Sequence, residues 1–263
     1  MRGTFLFLGT GASTGIPRIG CSCPVCTSTS PFNKRLRPSG LVHVKGKSLL
    51  LDVGPDFYTQ AIKYKINRLD GLLLTHTHYD HIAGIDELRI FYVLQNKPFP
   101  CLLSKESYED LKKRYDYFFE PPTEAGSLSA QLEFQILEKD VGGTEFLGIQ
   151  VHYFSYSQGG MKVTGFRIGD FGYVSDIRNY DESIFQELKG VRTLVLSALM
   201  QEPTKLHFSF EEAVVFSRRA GAQKTWLTHL AHFTDHEQGN ALLPPEVRLA
   251  YDGLILEFNY AAT

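Results

Sequence analysis

Only four cysteines, three methionines and one tryptophan occur in 263 residues. Four cysteines are too few for the disulfide framework of a small secreted domain. Three of them crowd into "CSCPVC" at 21–26, which reads as a metal knuckle in a reducing compartment rather than as paired bridges. Charge of either sign is not in surplus: 27 basic residues face 29 acidic ones, for a formal net charge of −2. That balance argues against a protein built to grip long nucleic acid, and the one small basic run, "NKRLR" at 33–37, reads as a solvated loop. No apolar run approaches the roughly 18 residues of a membrane helix. The opening "MRGTFLFLGTGAS" offers only "FLFL" before its glycines, so it reads as a buried strand and not as a signal peptide. These absences predict a cytoplasmic protein with no membrane partner. Repeats, low-complexity tracts and linker-like stretches are also missing. The expectation is one domain over residues 1–263, with 43% hydrophobic residues to fill a sizeable core.

What the chain does contain is a succession of short apolar runs bounded by turn residues. Strands are expected at 4–9, 41–44, 48–54, 71–76 and 101–104, and again at 149–156, 163–169, 171–176, 192–198, 224–229 and 253–258. "VKGKS" and "IGDFGY" supply tight turns between neighbours. Helices are expected between strands: one capped by Ser104 and running through "KESYEDLKKRYDYFF", one over 181–190, and one over 209–221 that opens with a capping box of Ser209 and Glu212. Strands with interspersed helices make this a mixed α/β protein. "RIFYVLQNKPFP" (89–100) and "YDYFFEPPTEAGSLS" (115–129) are expected to form a helical cover and loop near a cleft. Packing is the default role for their aromatics; contact with a substrate ring, or with a second subunit of a homodimer, are the alternatives.

The strongest signal is "THTHYDH" at 75–81, directly after the strand "GLLL". His76 and His78, at i and i+2, point the same way if extended geometry continues, so they can share one metal. Asp80 and His81 follow a turn and can serve a second. Imidazole and carboxylate suit zinc, manganese or iron, and the end of a strand is where α/β sites form.

The stretch "THTHYDHIAGI" resembles the HxHxDH signature of the metallo-β-lactamase superfamily. "FLGTGAS", "LLLDVG", "YVSD", "LTHLAH" and "AYDGLILEF" follow in the family's order. The resemblance implies a four-layer αββα sandwich with a binuclear metal site. It implies His76 and His78 as ligands of a first metal, Asp80, His81 and His229 as ligands of a second, and Asp176 as the bridge between them. Asp52 is then expected outside the ligand set, orienting a ligand by hydrogen bonding. Two zinc or manganese ions close together would acidify a shared water, which would attack without a side-chain nucleophile.

One position departs from the family pattern. The family supplies a third histidine to the first metal where this chain has Gln158, while His152 lies six residues upstream, inside a strand. An amide oxygen is a poorer ligand for a transition metal than imidazole, so the first metal is expected to bind weakly.

A closed tetrahedral zinc site needs four ligands, and Cys21, Cys23 and Cys26 supply three. The C-x-C-x-x-C knuckle after the first strand resembles that of the PhnP-like cyclic phosphodiesterases, with a similar one in the PqqB group. In the former the fourth ligand is a histidine three residues after the active-site one, which here is His232, after His229. The rival is Cys101, whose run "FPCLLS" reads instead as a buried strand. His207 matches the family position proposed to protonate a leaving oxygen, the alternative being a helix-entry histidine without chemistry.

The function implied is a metal-dependent phosphodiesterase acting on a small, perhaps cyclic, phosphodiester. A transfer-RNA 3′-processing nuclease has a similar motif, but the long glycine- and basic-rich arm of those enzymes is not found here. A metal-binding member with reduced turnover is the third reading, favoured by Gln158.

Overall fold

In the computed structural model, residues 1–119 and 129–260 are described. Among them are two seven-stranded sheets. The strands are β1 (Arg2–Gly9), β2 (Ser39–Val44), β3 (Lys47–Leu51), β4 (Gly71–Leu73), β5 (Phe99–Ser104), β6 (Leu132–Leu137), β7 (Val141–Phe146), β8 (Ile149–Gln158), β9 (Met161–Ile168), β10 (Phe171–Val174), β11 (Thr193–Ser197), β12 (Lys224–Thr228), β13 (Val247–Leu249) and β14 (Ile255–Asn259). The helices are α1 (Pro24–Thr27), α2 (Phe57–Lys63), α3 (Tyr79–Ile82), α4 (Arg89–Gln95), α5 (Lys105–Arg114), α6 (Ile184–Glu187), α7 (Phe210–Ala220) and α8 (His236–Leu242). The first sheet runs β14-β1-β2-β3-β4-β5-β6 and the second β13-β12-β11-β10-β9-β8-β7.

Three apolar layers explain the four-layer αββα architecture. Phe5, Val42, Leu49 and Leu51 of the first sheet meet Phe166, Tyr173 and Val195 of the second in the middle layer. The other face of the first sheet, with Leu50, Leu72 and Leu103, packs on Phe57, Phe91 and Leu111 of α2, α4 and α5. The other face of the second sheet, with Leu194, Leu196 and Leu227, packs on Ile184 of α6 and Phe216 of α7. Successive strand residues face opposite ways, so a strand buried on both faces must be apolar at every position. This accounts for the unbroken "LLL" of β3, in which Leu49 and Leu51 enter one layer and Leu50 the other.

Pairing is parallel from β3 through β6 and from β10 through β13. The loops leaving the carboxyl ends of β3, β4, β10, β11 and β12 therefore carry Asp52, residues 75–81, Asp176, His207 and His229, the position at which open α/β sheets place their sites.

Several elements differ from expectation. The helix after Ser104 ends at Arg114, and a separate 3₁₀ turn covers Asp116–Phe118. The rest of 115–129 falls largely at 120–128, outside the described residues. Residues 181–190 yield only the single turn α6, with three overlapping turns bonded three residues back carrying the chain into it. The strand expected to reach His76 ends at Leu73, where the chain leaves the sheet to form the 75–81 loop. Strands β6, β7 and β13 and helices α2 and α8 escape a pattern search. β7 carries two consecutive glycines, and β13 has only three residues. Helix α4 is present, but Ile90, Val93 and Leu94 line a cavity of about 610 Å³ against α2, and no residue of "THTHYDH" lines it. The expected capping box of Ser209 and Glu212 is formed at α7, which ends on Gly221 in the left-handed conformation.

Candidate metal centre

Three of the residues around the cluster adopt a backbone that non-glycine residues avoid: Asp52 (φ 59°), Asp176 (φ 49°) and His229 (φ 61°). Each directly leaves a parallel strand or follows it by one residue, and the left-handed turn aims the side chain back across the strand ends. Such conformations cost on the order of 1–3 kcal/mol each and persist where surrounding contacts over-determine them. Close approach of the backbone does the rest. A Cβ on Gly54 would lie 2.1 Å from the Asp80 carbonyl, and one on Gly84 would lie 2.2 Å from the Gly54 carbonyl, so the loops of β3 and β4 stack only through glycine.

The side chains then converge. His76, His78 and Asp176 present donor atoms within 4.8 Å of one another, as do Asp80, His81 and His229. Asp176 joins the two groups: its Oδ2 lies 3.5 Å from His76 Nε2 and 3.6 Å from His81 Nε2, and its Oδ1 lies 3.3 Å from His229 Nε2. Asp80 Oδ2 is 3.2 Å from His229 Nε2. All of these residues except His78 are buried.

Hydrogen bonds fix which ring nitrogen faces the cluster. Thr75 donates its hydroxyl to Asp52 Oδ2 (2.9 Å), so its oxygen is left to accept from His76 Nδ1 (2.9 Å). The His76 proton is then on Nδ1, and Nε2 faces His78 Nδ1 at 2.8 Å as an acceptor. His81 likewise gives its Nδ1 proton to Asp52 Oδ2 (2.7 Å), leaving Nε2 buried with no hydrogen-bond partner. Ring nitrogens and two carboxylates thus point into one volume, whose negative charge must be balanced by protons on the imidazoles or by cations. The residues present fit divalent metal ions on the chemistry of their donors.

Proton affinities reflect the same crowding. Burial opposes a charge on His81, but Asp80, Asp176 and Asp52 together outweigh it and raise its pKa well above the usual value. His229 is raised in the same way, against burial, by Asp176 and Asp80. Burial also opposes ionisation of Asp80 and Asp176, yet the neighbouring histidines hold both below the ordinary carboxylate range. His78 is pushed down to about 4 by burial and by His76.

Gln158, the last residue of β8, is buried, and its Nε2 lies 3.1 Å from His207 Nε2. His207 stacks on His229, with ring centroids 4.8 Å apart, and its donor atom lies within 4.8 Å of those of Asp176 and His229. Burial, and then the charge of His229, push His207 down to about 4. His152 stays apart, cross-strand from Arg167 on the sheet.

The cysteine knuckle assembles beside this cluster. Cys21, Cys23, Cys26 and His232 place their donor atoms within 4.8 Å of one another. His232 Nδ1 lies 3.5 Å from Cys21 Sγ and 3.4 Å from Cys23 Sγ. Backbone N–H groups of Arg18 and Cys26 donate to Cys26 Sγ and Cys23 Sγ. His232 draws the Cys23 thiol down to about 6, favouring the thiolate a zinc ion takes. Leu230 and Ala231, between His229 and His232, are bonded to Thr10 and Leu199. Cys101 is buried in the outer apolar layer under α4 and α5.

The residue whose role the motif did not announce is Thr75. Its position in "THTHYDH" is plain, but its hydroxyl link between Asp52 and His76 depends on where β3 ends.

Fold and cluster define a metal-dependent hydrolase. The profile of the beta-lactamase superfamily domain matches residues 47–230, and the chain belongs to that superfamily, in its PhnP-like type. The structure of a diphosphatase from the PhnP family superposes with a TM-score of 0.91 at 32% identity, covering 100% of this chain and 99% of that one. Zinc-bound PqqB from Methylobacterium extorquens shares the fold, with a TM-score of 0.78 at 18% identity over 96% of this chain and 99% of that one. An octanoyltransferase of Porphyromonas gingivalis is 29% identical over 259 residues, covering 95% of this chain but 50% of that protein. The chain thus spans about half the length of that relative. Among the described residues no helix is long and apolar enough to cross a membrane.

Proposed function

We propose that this chain hydrolyses small phosphodiesters, cyclic ones included, at a two-metal centre. The observation that carries the reading is the union of two donor groups through Asp176, with His207 beside it. His76, His78 and Asp176 would hold one cation, and Asp80, His81, His229 and Asp176 the other. Zinc or manganese bound there would supply Lewis acidity to a phosphoryl group and lower the pKa of water. The Cys21, Cys23, Cys26 and His232 group would hold a structural zinc.

The chain's own residues have separable tasks. Asp52 and Thr75 orient His81 and His76 so that their lone pairs face the substrate side. In the metal-free chain burial and then His229 hold His207 near 4, and a cation bound beside it would keep the ring neutral in the same sense. An anionic phosphodiester seated beside it would act in the opposite sense and bring a proton onto the ring, from which a leaving oxygen can take it. Gln158 contacts His207 and adds no imidazole to the first group, which would leave a cation there the weaker one.

The reading is supported by the kinship to a PhnP-family diphosphatase. It is tested with a panel of bis-p-nitrophenyl phosphate, cyclic nucleotides and pre-tRNA, each assayed with zinc, manganese or nickel. Turnover of the small diesters, lowered in His207→Ala at unchanged metal content, is the expected result. Preference for pre-tRNA would instead establish a processing nuclease. No turnover with any metal would establish a binding protein.

A further inference from the structure

Thr77 separates His76 from His78, and its hydroxyl and carbonyl are tied to a helix outside any motif. Its hydroxyl donates to Asp110 Oδ2 at 2.5 Å, and its carbonyl accepts from Arg114 Nη1 at 2.9 Å. Arg114 Nη2 pairs with the same Asp110 oxygen at 2.7 Å, so the three groups close a ring. Asp110 and Arg114 stand one turn apart on α5, whose N-terminus is capped by Ser104 and whose Leu111 is buried against the first sheet. On the other side of His76, Asp52 holds Thr75 by its N–H (2.8 Å) and its hydroxyl. The backbone is therefore held on both sides of His76, by a loop residue at Thr75 and by a helix at Thr77, from which His78 follows directly.

We propose that Asp110 and Arg114 are positioning residues for the cation held by His76 and His78. The inference rests on the two-metal reading above. With Gln158 turned to His207, that cation would have two imidazoles and a shared carboxylate to hold it. The fewer the donors, the more the affinity depends on holding each one in place beforehand. Asp110 and Arg114 are about a third and two-fifths exposed, a setting in which an ion pair adds little to stability. Their effect is on the geometry of the 76–78 segment, not on the fold.

Metal-free protein titrated with manganese, read by calorimetry and by the resonance signal of the free ion, tests this. Thr77→Val and Arg114→Met are expected to weaken one active-site ion by about 10–100-fold, to leave the other within about twofold and to leave Tm nearly unchanged. Thr77→Ser, which restores the hydroxyl, is expected to titrate like the parent protein. Unaltered binding of both ions in Thr77→Val and Arg114→Met would overturn the proposal. So would a joint loss of both ions and of Tm, the signature of a contact that only holds the fold. His76→Ala is titrated alongside: if it binds manganese as the parent does, the two-metal reading itself fails, whatever the clamp variants do.

Discussion

Gln158 meets His207 across 3.1 Å, and His207 shares a donor group with Asp176 and His229. On the proposed two-metal reading, position 158 gives the first donor group no imidazole and contacts the neighbouring one instead.

Gln158→His is expected to tighten the first cation by about tenfold or more, because imidazole is the better donor. The same change breaks the amide contact to His207. Metal titration of the parent and the variant checks it, and the parent should purify with the Asp80–His81–His229 ion better retained. A parent with a full first site and an empty second would contradict this.

Metal affinity should fall with acidity. Asp80 and Asp176 stay ionised well below the ordinary carboxylate range, so they contribute no proton competition near neutrality. His81 and His229 are raised above the usual imidazole value, so the metal-free protein keeps protons on them that a cation must displace. For each proton displaced, Kd should rise about tenfold per unit fall in pH below those raised values. Calorimetry in buffers of different ionisation enthalpy measures the protons released; a value of zero would refute the argument.

His232→Ala should remove one zinc equivalent, since His232 closes the cysteine group. The segment from His229 to His232 would lose its tie to the loop after β1. Tm should fall by at least the 2–4 °C or so that about 1 kcal/mol makes in a chain of this size, while far-ultraviolet circular dichroism is kept. The sheets retain their three apolar layers without the knuckle.

Gly54→Ala should cost roughly 1–3 kcal/mol as an overpacking change, with the strain directed onto the Asp80 carbonyl 2.1 Å from the new methyl position. Both Tm and the affinity of the ion held by Asp80 should drop. A drop in Tm alone would mean that the loop relaxes away from the donors.

The motif "THTHYDH" marked four of the donors because ligand chemistry is written in residue type and short spacing. "CSCPVC" marked three more for the same reason. Asp176, His229 and His232 were assignable only through resemblance, since a lone aspartate or histidine at a strand end carries no local signal. The unbroken apolar runs identified most strands, because strands buried on both faces cannot alternate. β7, with its paired glycines, and the short β13 held no such pattern.

The sequence by itself determined the donor types, the α/β class and the departure at position 158. Tertiary structure alone decided that Gln158 faces His207, that Asp52, Asp176 and His229 take left-handed backbones, and that α5 reaches Thr77. Each of those depends on where strands end and which loops then meet. Contacts between residues tens of positions apart are set by packing of the layers, and no local run of residues encodes them.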